Sequence, residues 1–61
     1  MLSAHLRARL ASFSHAYSVA LRLREQTGLD QYIVQTADPL QPVRVSAVPP
    51  KDANTLLALV A

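Results

Sequence analysis

The side chains that could carry chemistry are few: His5 and His15, Ser12, and the carboxylates Asp30, Asp38 and Asp52. If His5 and His15 share a helix, they lie about 15 Å apart along its axis and are rotated away from each other, so they cannot ligate one metal within a chain. Ser12 and His15 are three residues apart, close enough for a hydroxyl to meet an imidazole. Nucleophilic catalysis also needs a group that orients the base and donors that hold an oxyanion, and the helix offers neither within reach. Asp30 falls at a helix-to-strand junction, Asp38 in a turn and Asp52 at a cap, roles that each explain an aspartate without invoking catalysis. The chain has no cysteine, which removes disulfides and thiolate metal sites, and its single glycine cannot form a phosphate-cradling loop. No catalytic, cofactor-binding or metal-binding residue is therefore assigned, and the expectation is a protein that is not an enzyme.

One polar constellation has a binding reading. Tyr32, Val34 and Thr36 alternate with Gln31, Ile33 and Gln35, and Val43, Val45 and Ala47 alternate with Arg44 and Ser46. A period of two predicts strands. Asp38-Pro39-Leu40-Gln41 has the residue order of a type I turn, so a hairpin over about residues 31–48 is expected. Closing the turn with Ala37 opposite Pro42 sets Thr36 against Val43, Val34 against Val45 and Tyr32 against Ala47 on the covered face. The outer face then displays Gln31, Gln35, Arg44 and Ser46. Gln and Arg can read base edges when a two-stranded ribbon enters the major groove, so a dimeric sequence-specific DNA-binding protein is the alternative function. An ordinary solvated sheet face accounts for the same residues, and there are few other cations to neutralise phosphates.

The element that must cover this hairpin is a helix over about residues 3–27. Ser3 suits an N-cap, no proline or glycine interrupts, and Gly28 stands where a C-terminal cap belongs. Leu6, Leu10, Phe13, Tyr17, Ala20 and Leu21 follow the spacing of one apolar face. A second pattern places Ala4, Ala8, Ser12, Ala16 and Ala20 at every fourth position, a shallow groove that admits a close neighbour. Ala8, Ser12 and Ala16, flanked by Val19 and Leu23, are the expected self-association face. After Pro49 and Pro50, residues 53–60 read equally as a short helix or as a third strand. The fold class expected is α+β: one single small domain over residues 1–61, with a long N-terminal helix packed on an antiparallel hairpin and a short C-terminal element.

Composition narrows the function further. Of 61 residues, 51% are hydrophobic, and alanine supplies ten of them. A chain this short forms a small core with no disulfide to reinforce it, which favours an oligomer or a protein partner. The net charge is +2, with Arg7, Arg9, Arg22 and Arg24 all preceding the first acid, Glu25. That is far sparser than the basic stripe of a general nucleic-acid binder. The basic, acid-free front also has the composition of a targeting or membrane-surface helix, a third reading. No apolar run exceeds Leu56 to Ala61, so no segment is expected to cross a bilayer. The leading expectation is a small, cytoplasmic, non-enzymatic protein-binding module that self-associates.

Overall fold

The structure, a computed structural model, describes residues 4–61, with the side chains of residues 4–6 and 8–10 outside the description. The expected cap Ser3 and the side chains of Leu6, Ala8 and Leu10 therefore lie outside the described residues. Helix α1 spans Ala4–Thr27, and three strands follow: β1 Gln31–Gln35, β2 Val43–Ser46 and β3 Leu56–Val60, the last entered through a 3-10 turn at Ala53–Thr55. The sheet order is β2-β1-β3, and β1 is antiparallel to both neighbours. The fold is α+β, a helix packed on a three-stranded antiparallel sheet.

Backbone chemistry at the helix end explains where it stops. Gly28 adopts φ 75°, the left-handed conformation that glycine tolerates without a Cβ penalty, and its N–H donates to the Arg24 carbonyl at 3.0 Å. The Thr27 hydroxyl donates to the Leu23 carbonyl at 2.7 Å and accepts from Leu29 N–H at 3.2 Å, tying the exit segment down. Arg24 lies 3.5 Å from the Asp30 carboxylate across this junction, a half-exposed pair that contributes little to stability.

The helix rests on the sheet by its small residues. Ala16 and Ala20 are buried with Ile33 and Val60, and Phe13, Val43, Val45 and Ala58 pack around them. The large Ile33 side chain on β1 meets small residues on the helix, which lets the two backbones approach closely. The expected apolar face is thus rotated: Phe13 is half-buried, while Tyr17 and Leu21 stay exposed on the flank.

The hairpin register also differs from expectation by one residue. Tyr32 pairs with Ser46, Ile33 with Val45, Val34 with Arg44 and Gln35 with Val43. The expected turn is present, with Gln41 N–H donating to the Asp38 carbonyl at 3.2 Å and Leu40 N–H to the Asp38 carboxylate at 2.9 Å. The loop that contains it is longer by Ala37. Thr36 N–H donates to the Pro42 carbonyl at 2.9 Å, while the Thr36 hydroxyl accepts from Asp38 N–H at 3.2 Å and also bonds the Gln41 carbonyl. Pro42 has no N–H and serves here only as an acceptor, so the pairing ends at Thr36. β2 keeps its expected orientation, but β1 is turned over, with Ile33 instead of Val34 at the centre of the core.

The tail is a strand. Gln31 pairs with Val60, Tyr32 with Leu59, Ile33 with Ala58 and Val34 with Leu56, a bulge at Leu57 breaking the register. Asp52 caps the short turn before it, accepting from Asn54 N–H at 3.0 Å and, through its carbonyl, from Thr55 N–H at 3.1 Å. The helix lies chiefly over β1 and β2 and only lightly over β3.

Candidate functional site

The proposed polar face is not assembled. Gln31 is 2% exposed on the helix side, its amide Nε2 donating to the Leu29 carbonyl at 3.1 Å. Gln35, in register with Val43, shares that side, while Arg44 and Ser46 stand with Val34 and Tyr32 on the other. This correction follows from the one-residue slip, because every side chain of β1 changes face when the register moves by one. The outer face of the sheet carries Tyr32, Val34, Leu56 and Leu59 beside Arg44 and Ser46. It is mainly apolar, and a base-reading ribbon needs a polar array.

The stripe expected to self-associate lies partly against the chain's own sheet. Ala16 is buried against the sheet, and Ser12, Val19 and Leu23 are half-buried along the same stripe. Ala8 lies outside the residues whose side chains are described. The close approach that a small-residue row permits is used between helix and sheet.

Where this stripe meets the hairpin, an open groove of about 370 Å³ runs between α1 and β2. Ser12, His15, Ala16 and Val19 form one wall, and the segment from Leu40 to Val45 forms the other. Ser12 and His15 do line one site, as their spacing suggests, and Gln41 and Arg44 add further polar atoms. Among the described residues, no carboxylate lines the groove. Among the described residues no group of three His, Cys, Asp or Glu side chains is placed to hold a metal ion. Among the described residues, too, no helix is long and apolar enough to cross a membrane.

The opposite flank of the molecule is apolar and open. Tyr17 is 43% exposed and Leu21 42%, and the Phe13 and Tyr17 rings stack at a centroid distance of 6.3 Å. The groove lies on the β2 side of the helix, so this row lies on the β3 side. β3 also carries Leu57, 42% exposed, and, on the outer face of the sheet, Leu59, 51% exposed. Sequence reasoning missed this surface because it assigned the Phe13-Tyr17-Leu21 row to the core. The charge-free run from Thr55 to Ala61 was the available signal for an open edge. Comparison of the chain with protein-family models, with curated proteins and with solved structures finds no match in any of the three.

Proposed function

We propose that this protein is a small non-enzymatic binding module, working in the cytoplasm, whose fold is completed by association with another polypeptide, in the first place a second copy of itself. One observation carries the reading: the imbalance between what the chain buries and what it leaves open. Among the described residues the buried apolar core is Ala16, Ala20, Ile33 and Val60, while eight large apolar side chains are exposed. Two alanines, one valine and one isoleucine release only a few kcal/mol on burial at about 25 cal/mol per Å². Ordering the backbone costs about 1–2 kcal/mol per residue, so packing beyond this core has to contribute.

The test is urea unfolding with sedimentation velocity across chain concentrations from micromolar to millimolar. Association coupled to folding raises the unfolding free energy by about 1.4 kcal/mol per tenfold increase in concentration. A monomeric mass throughout, with a concentration-independent midpoint and stability above about 5 kcal/mol, would refute the proposal, because the open faces would then need no partner.

A further inference from the structure

We propose that the groove between α1 and β2 takes an extended segment of another protein, an acid flanked by two apolar residues, added antiparallel to the free edge of β2. The proposal rests on the protein-binding reading above and names the chemistry of the partner. It does not depend on a second copy of the chain.

The hydrogen-bond phase of the hairpin fixes what this edge offers. The sheet order β2-β1-β3 leaves one side of β2 without a neighbouring strand among the described residues. Thr36 N–H donates to the Pro42 carbonyl at 2.9 Å, one step beyond the pairing of Gln35 with Val43. Hydrogen-bonded pairs alternate along an antiparallel ladder, so Val34 with Arg44 and Tyr32 with Ser46 are pairs of that kind. Val43 and Val45 are therefore the residues of β2 whose N–H and C=O groups turn away from β1. Pro42 does not interrupt this edge, because the N–H it lacks belongs to the β1 side. Val43, Arg44 and Val45 line the groove, so its β2 wall is this free edge. It presents two donors and two acceptors, on residues about 6.8 Å apart.

A polypeptide in extended conformation repeats its own N–H and C=O groups at the same interval, which is the basis of strand addition. Antiparallel alignment suits so short an edge, since two peptide residues then make all four bonds. Parallel alignment would spread the same bonds over a longer segment. Side chains select among peptides. A residue that exchanges bonds with Val43 or Val45 puts its side chain on their face, toward α1. There Ala16, Val19 and the two valines make the groove apolar. The residue between stands across from Arg44 on the outer face of the sheet. Arg44 is exposed, and among the described residues the ion pair present joins Arg24 to Asp30 instead. An acid opposite Arg44 gives a favourable cross-strand pair. The same residue disfavours a second copy here. Self-pairing that engaged both valines would be centred on Arg44 and set two guanidinium groups opposite each other.

The test is amide NMR on the isotope-labelled protein, titrated to millimolar concentration with the capped peptide acetyl-Thr-Val-Glu-Val-Thr-amide. Saturable shifts should be largest at Val43 and Val45, and those two amides should exchange more slowly with solvent. N-methylation of both peptide valines removes the donors to β2 and should raise the dissociation constant about tenfold or more. N-methylation of the glutamate, whose N–H points away from β2, should leave it nearly unchanged. Arg44→Glu should keep its helical circular dichroism and reverse the preference. It should bind acetyl-Thr-Val-Lys-Val-Thr-amide more tightly than the glutamate peptide, by roughly two- to fivefold. Shifts that map to β3, or none at Val43 and Val45, would overturn the site. A larger loss from methylating the glutamate than the valines would overturn the antiparallel pairing. An unaltered preference in Arg44→Glu would overturn the acidic selection. An unfolding free energy that still rises with chain concentration would keep the association reading while this site falls.

Discussion

Paired truncation of Ile33 and Val34 tests the phase of β1, on which the composition of both sheet faces depends. Ile33 is fully buried beneath Ala16 and Ala20, whereas Val34 stands on the outer face opposite Arg44 and Leu56. Ile33→Ala removes three carbons from a site with no solvent, a transfer loss of about 2.4 kcal/mol at about 0.8 kcal/mol each. The cavity left between helix and sheet brings the total to about 3–4 kcal/mol, within the range for buried Ile→Ala changes. A domain of this length has a stability of roughly 3–9 kcal/mol, so a third or more of it would be lost. Val34→Ala removes two carbons from a half-exposed site and should cost about 1 kcal/mol or less. The assay is urea unfolding followed by circular dichroism, with both variants at one chain concentration so that association enters equally. Equal losses, or a larger loss at Val34, would refute the observed register and restore the one in which Val34 faces the helix.

Three further outcomes follow from named contacts. Gly28→Ala has open space for the new Cβ but must hold φ 75°, so it should cost about 1 kcal/mol or slightly more in thermal or urea unfolding. Ala16→Leu inserts a large side chain where the helix presses on Ile33, and should lower stability by about 1–3 kcal/mol at any chain concentration, without changing the mass measured by sedimentation. Asp52→Ala removes the acceptor for Asn54 N–H at the entry to β3 and should cost about 0.5–1 kcal/mol, read as faster hydrogen exchange across the β1–β3 ladder.

Much of this architecture is legible in the sequence where local chemistry decides. The helix span follows from uninterrupted helix formers and Gly28, the Asp38-Pro39 turn from side-chain hydrogen bonding, and the Asp52 cap from the same source. The errors occur where two solutions are locally equivalent. Ile33 and Val34 are adjacent, apolar and β-branched, so alternation through β1 has two phases of similar merit. The choice falls to Thr36, whose hydroxyl bonds draw Ala37 into the loop. The helix face is mistaken for a related reason. Ranking faces by side-chain size favours Phe13, Tyr17 and Leu21, yet the sheet below presents Ile33, and a large residue there is matched by alanines. The expected polar site failed with the register it depended on. The tail stayed ambiguous because Leu56–Val60 suits either element until β1 is known to need a second neighbour.

That β1 sits in the middle of the sheet has a consequence for the order in which the chain is made. Its neighbour β2 is close by in sequence, and the β1–β2 hairpin can form within about 1–10 μs of both strands becoming available. Its other neighbour, β3, begins only after the intervening residues 36–55. At about 5–20 residues per second, synthesis of that interval takes seconds, roughly a millionfold longer than the hairpin needs. Any fragment that stops short of Leu56 leaves one side of β1, with Ile33 and Val34, without a ladder partner from its own chain, and a two-stranded hairpin of that size is marginal in water.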